Sequence, residues 1–223
     1  MFAANAPFPA LCLSARDGYR WRNGQGLFTT NHSDRDAFKG TLVSTIRIYP
    51  DTDITQLLFT SDKPQRIREK LSETGVRFEQ WQTDHALLPG AGQDTVMAAY
   101  QSDINRLVAE QGYQTVDVIS LNADNPKKDE LRQKFLEEHT HGEDEVRFFV
   151  AGQGLFSMHI GECVYEVLCQ AGDLISVPAN TPHWFDMGPS PEFIAIRLFN
   201  NPDGWVAHYT GNNIAARFNR LEN

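Results

Sequence analysis

Two histidines one residue apart, His139 and His141, precede Glu145 and a run of strand formers in EEHTHGEDEVRFF, residues 137–149. Neutral imidazoles and a carboxylate are donors for divalent transition metals. Side chains alternate faces along an extended strand, so His139 and His141 project together. Glu145, four residues on, follows them if the strand is unbroken. A fourth donor is His183, at the end of DLISVPANTPH, where a strand runs into a turn stiffened by Pro178, Asn180 and Pro182. In a barrel this strand lies opposite the first and aims its histidine inward. Three imidazoles and one carboxylate leave two positions on an octahedral ion, suited to bidentate chelation or to one substrate atom plus dioxygen. The set suits Fe(II), Ni(II), Mn(II) or Co(II) over Mg(II) and Ca(II), which prefer oxygen shells.

Arg147 is a further even step beyond Glu145 and should face the same side. Its permanent charge would favour an ionised substrate; the plainer alternative is an exposed strand arginine. The other histidines are weaker candidates. His159 reads as a packed or exposed strand residue, His32 and His85 as solvated loop residues. His208 stands near Trp205, close enough to reach a rim.

These donors need a scaffold. TLVSTIRIYP (41–50) alternates with β-branched residues and predicts a first strand. SDKPQRIREKLSETG predicts a helix capped by Ser61 or Asp62 and stopped by Gly75. VRFEQW reads as a strand. DTVMAAYQSDINRLVAEQG predicts one amphipathic helix ending at Gly112. VDVISL is a short strand, and NPKKDELRQKFLEEH a helix with Leu131 and Phe135 toward a core. After His139, VRFFVAG, GLFSMHI, CVYEVLC, DLISVPA and EFIAIRLF follow at short intervals, as in an antiparallel barrel or sandwich. The last stretch, from Asn201, is irregular and aromatic and should pack back over that β structure. Residues 1–40 show neither period and read as a poorly ordered N-terminal extension, with 41–223 as the domain.

The composition is that of a folded protein, 41% hydrophobic and 22% charged over 223 residues. No run reaches the ~18 apolar residues of a membrane span. A net charge of −9 disfavours nucleic acid and anionic membrane as partners. Three cysteines without a CxxC fit reduced thiols in a cytoplasm, a Cys163–Cys169 pair being the alternative.

His139-x-His141-x₃-Glu145-x₆-Gly152 resembles the first motif of the cupin superfamily, and Gly172-x₅-Pro178-x-Asn180-x₂-His183 the second. Gln133 and Asn180 stand where the motifs commonly carry glycine; neither departure removes a ligand. HTHGEDEVRFFVAGQG, DLISVPANTPHWFDMG and IRLFNNPDGWVAHYTG resemble the bacterial acireductone dioxygenase family, as do VRFEQW and YQTVDVISLNADNP, over Thr41 to Leu221. The resemblance implies a mainly β (α+β) cupin-type antiparallel jelly-roll barrel with helices packed outside. It implies a monomer with one Fe(II) or Ni(II) per chain. It implies the acireductone 1,2-dihydroxy-3-keto-5-methylthiopentene and O₂ as substrates, in methionine salvage. The family's iron form yields 4-methylthio-2-oxobutanoate and formate. Its nickel form yields 3-methylthiopropanoate, formate and CO. By the same resemblance Arg147 helps generate the substrate dianion and Phe135, Phe185 and Trp205 line the wall for the methylthio tail. Glu138 bears on metal loading and Asp144 on conformational relay; the alternative is a solvated acidic fringe. Two rival readings stay open, another single-domain cupin oxygenase or isomerase and a non-catalytic small-molecule-binding cupin.

Overall fold

The computed structural model describes residues 43–201 and 206–222. In chain order the elements are β1 (Thr45–Pro50), β2 (Phe59–Ser61), α1 (Pro64–Ser72), β3 (Arg77–Gln80), α2 (Gln93–Ala99), α3 (Gln101–Gln111), β4 (Thr115–Leu121) and α4 (Lys128–Leu136). There follow β5 (His139–Thr140), β6 (Glu145–Ala151), β7 (Gln153–Ile160), β8 (Cys163–Gln170), β9 (Asp173–Val177), β10 (His183–Asp186), β11 (Phe193–Phe199) and β12 (His208–Tyr209). Two antiparallel sheets result, one ordered β12-β5-β10-β7-β8-β1-β2 and the other β3-β9-β6-β11-β4. The fold is mainly β with flanking helices, as expected. The jelly roll consists of two separate sheets rather than a ring closed by strand pairing.

β6 shows how the layers form. Phe149 joins Phe156, Phe185 and Phe193 in the main core. Its neighbours Val146, Phe148 and Val150 point the other way, where α2 and α3 cover them with Val96, Tyr100, Ile104 and Leu107. Both faces are buried, so beyond Arg147 the strand reads as a continuous apolar run, residues 148–151. On the larger sheet, Ile214, Ala215 and Phe218 of the C-terminal segment pack over Tyr49, Val164 and Trp184, the return expected for that stretch.

Three local expectations are corrected. The single helix ending at Gly112 is two helices, α2 and α3, which meet at Tyr100 with φ −107° and ψ 19°. The Tyr100 ring is buried against Phe148 at 5.4 Å, a tertiary contact that overrides helical continuity. Neither Ser61 nor Asp62 caps α1. The N-cap position is Lys63, without a side-chain cap, and the Ser61 hydroxyl accepts the Lys63 N–H instead, at 3.1 Å. Cys169 is a free, buried thiol, so a Cys163–Cys169 bridge does not form; Cys163 itself is not a reduced thiol, which corrects the expectation of reduced cysteines. The expected extension over 1–40 and Trp205 lie outside the described residues.

Candidate metal centre

The strand expected to carry His139, His141 and Glu145 together is broken. β5 ends at Thr140, and β6 begins at Glu145 in the other sheet. Glu145 therefore meets the histidines from across the gap between sheets. His183 is not opposite His139 either: β10 pairs directly with β5, with His183 and His139 as register partners. The four side chains converge, but through the juxtaposition of two sheets rather than along one face of one strand.

The turns that carry them are tied to each other. Asn180 takes φ 63°, the one non-glycine in the left-handed region among the described residues, a conformation asparagine tolerates better than most side chains do. Its N–H donates to the His141 carbonyl at 2.8 Å. The Ala179 N–H donates to Oδ1 of Asp144 at 2.9 Å. The turn leading to His183 is thus pinned onto the turn that follows His141.

Each imidazole is oriented by a backbone carbonyl. Nδ1 lies 2.7 Å from the Glu137 oxygen in His139, 3.0 Å from the Val206 oxygen in His141 and 2.8 Å from the Thr181 oxygen in His183. A carbonyl only accepts, so each Nδ1 carries the proton and each Nε2 turns its lone pair inward. The donor atoms of His139, His141, Glu145 and His183 all lie within 4.8 Å of one another, and all four residues are buried. Oε2 of Glu145 is 2.8 Å from His183 Nε2 and 3.0 Å from His141 Nε2. Lone pairs facing a carboxylate repel unless a cation is shared between them. Adjacent donors on an ion with bonds of about 2.1 Å stand about 3 Å apart, so these residues fit a divalent transition metal.

Burial alone would raise the Glu145 carboxyl. The Arg147 guanidinium outweighs it and holds the group well below the usual carboxylate range. Burial pushes His139 down to about 4, which keeps it neutral. Arg147 is 3% exposed, which excludes the surface-arginine alternative. Its Nε donates to Glu145 Oε1 at 2.6 Å. Burial lowers the guanidinium from its ordinary value against the pull of Glu145; an arginine so placed stays cationic. Its Cζ lies 4.6 Å from the Phe185 ring, 5.6 Å from Phe156 and 5.7 Å from Phe135, within cation–π reach of each. Phe135 and Phe185 meet edge to face with ring centroids 6.2 Å apart. One arginine thus joins the carboxylate to an aromatic wall.

The acidic fringe is solvated only in part. Glu138 is 2% exposed. Its carboxylate accepts the Thr210 hydroxyl and faces His159 Nδ1 at 3.0 Å, while His159 Nε2 faces Asp51 at 3.3 Å. Glu143 accepts the Asn200 N–H at 2.9 Å and the Asn201 amide at 2.5 Å. His85 is exposed, as expected, and so is His208 on β12; its neighbour Tyr209 is the one that reaches His139, ring to ring at 5.9 Å. His159, Tyr209 and Thr210 were not legible as site residues. They reach β5 only through strand pairing and loop return, and no sequence spacing encodes that.

Residues 45–207 match the model of the ARD/ARD′ family. The acireductone dioxygenase of Alcanivorax borkumensis is 60% identical over 174 residues, 74% of this chain and 96% of that protein. That of Cronobacter sakazakii is 57% identical, over 80% of this chain and 99% of that protein. A solved acireductone dioxygenase from Bacillus anthracis, with cadmium ion in its active center, is 32% identical. It covers 75% of this chain and 98% of its own with a TM-score of 0.65. With the family model spanning most of the sequence and relatives matched over nearly their full length, this chain belongs to the ARD/ARD′ family, the acireductone dioxygenases.

Proposed function

We propose that His139, His141, Glu145 and His183 hold one Fe(II) or Ni(II) per chain and that this centre cleaves 1,2-dihydroxy-3-keto-5-methylthiopentene with O₂. The observation that carries the reading is the convergence of four buried donors whose imidazoles are all fixed with Nε2 inward. The bound ion supplies Lewis acidity and open positions for chelation. The chain supplies the rest. Arg147, held by Glu145, places a fixed positive charge where an enediol substrate ionises, which favours the electron-rich dianion. Phe135 and Phe185 form an apolar wall for the methylthio tail, joined in this reading by Trp205. Burial of the donors excludes bulk water and strengthens each of these interactions. Glu138 and Asp144 serve by holding the metal-bearing turns in place.

In this reading the products are 4-methylthio-2-oxobutanoate and formate with iron, and 3-methylthiopropanoate, formate and CO with nickel. The enzyme acts, on the same reading, as a cytoplasmic monomer. The test strips the protein of metal, reloads it with Fe(II), supplies acireductone and O₂, and measures formate and the 2-oxo acid against a no-enzyme control. Stoichiometric products, lost in His183→Ala, support the assignment. No rate above the control with iron demonstrably bound removes the substrate and favours another cupin oxygenase.

A further inference from the structure

We infer that Asp186 is a positioning residue that sets selectivity for the substrate's tail, acting from the far side of β10 by clamping α4. This rests on the function proposed above. Along β10, His183 and Phe185 turn toward the core and the metal donors, while Trp184 joins the outer cluster. Asp186, an odd step from His183, turns away from the site with Trp184. It is fully buried, and its carboxylate gathers three separate parts of the chain. Arg132 of α4 forks onto it, with Nε to Oδ1 at 2.8 Å and Nη2 to Oδ2 at 3.0 Å. The Gly188 N–H donates to Oδ1 at 2.9 Å and the Leu221 N–H to Oδ2 at 3.0 Å.

α4 has little else to fix it. It has no side-chain N-cap and no fully buried residue. Leu131 and Phe135 rest partly buried on the core. Arg132 and Phe135 are one turn apart on the same side of the helix. The fork onto Asp186 therefore fixes the rotation and distance of α4 on β10, and so the face Phe135 presents to Phe185 and Arg147. A planar bidentate pair gives that precision where an apolar contact would slide. The half of the aromatic wall contributed by α4 is held by a bond that never touches substrate.

The experiment compares iron-loaded wild type, Arg132→Met and Arg132→Lys on two acireductones, one with the methylthioethyl tail and one with a methyl group in its place. Amide hydrogen exchange over residues 128–136 is measured alongside. We expect KM for the tailed compound to rise about 5–10-fold in Arg132→Met, with kcat on both compounds and KM for the short one within about twofold of wild type. Exchange in α4 should quicken, and Arg132→Lys, which keeps the charge but not the fork, should fall between. Should Arg132→Met not fold, the lysine variant decides by the same split. Equal losses on both compounds, or unchanged exchange in α4, overturn the inference while leaving the enzyme's assignment intact. A wild type that consumes neither compound overturns the assigned reaction and this inference with it.

Discussion

Gly154→Ala is the sharpest test of how the aromatic wall is seated. Gly154 lies on β7, buried beneath the Phe185 ring; a methyl placed there would overlap Cε2 and Cζ of Phe185 and press on Phe149. The ring has little room to retreat: Phe149, Phe156 and Phe193 surround it with centroids at 6.2, 5.9 and 5.7 Å, all essentially unexposed. Overpacking of this kind costs ~1–3 kcal/mol, and the tight surroundings place this case near ~2–3. Replacing a strand glycine returns ~0.5–1 kcal/mol. The net loss is therefore about 1–2.5 kcal/mol, or about 2–10 °C in Tm for a chain of this size. The remaining way out for the ring is toward Arg147 and Phe135, so KM for a tailed substrate should rise as well. Differential scanning calorimetry on Gly154→Ala, Phe185→Leu and the double variant gives the answer. The smaller side chain should relieve the overlap, making the double variant more stable than the sum of the singles by about 1 kcal/mol or more. A Gly154→Ala protein as stable as wild type, or strictly additive losses, would refute this packing argument.

Three further outcomes follow from the structure. His183→Ala should weaken metal retention by more than the ~10–100-fold that loss of a supporting residue costs; metal analysis after dialysis, showing about one ion per chain in wild type and almost none in the variant, checks it. Gly152→Ala combines a left-handed φ of 71° with a methyl driven into the Glu192 carbonyl, and the backbone there cannot yield cheaply. A loss of at least about 2 kcal/mol is expected from urea midpoints, and a shift below about 0.5 kcal/mol would contradict it. Asp186 sets a pH dependence. Burial would raise its carboxyl, but the Arg132 fork and the Gly188 and Leu221 N–H groups hold it below its ordinary 3.8. A folded-state value below the unfolded one stabilises the protein above pH ~4, and that stability is lost as pH falls toward the folded value. Asp186→Asn should therefore flatten the acid limb of the stability curve below pH ~4 while lowering stability at neutral pH; an unchanged acid limb would show that the carboxylate is not held as described.

The sequence by itself determined the donor types, since three imidazoles and a carboxylate in two short motifs admit little chemistry besides a divalent metal. It also determined the class of the fold, because closely spaced apolar strands must bury both faces. Period-two alternation placed Arg147 beside Glu145 correctly, since both lie within the one unbroken strand β6. The same alternation applied from His141 to Glu145 reached the right residue by the wrong route, because the chain turns between them and changes sheet. Alternation is a local rule and carries information only as far as the strand continues. What the tertiary structure alone decided is everything that crosses between elements: the Val206 carbonyl behind His141, Thr210 and His159 on Glu138, and Arg132 on Asp186. These contacts join residues 21 to 72 positions apart. Their pairing depends on which strands are neighbours and in what register, and that is fixed by the burial of two sheet faces at once rather than by any spacing along the chain.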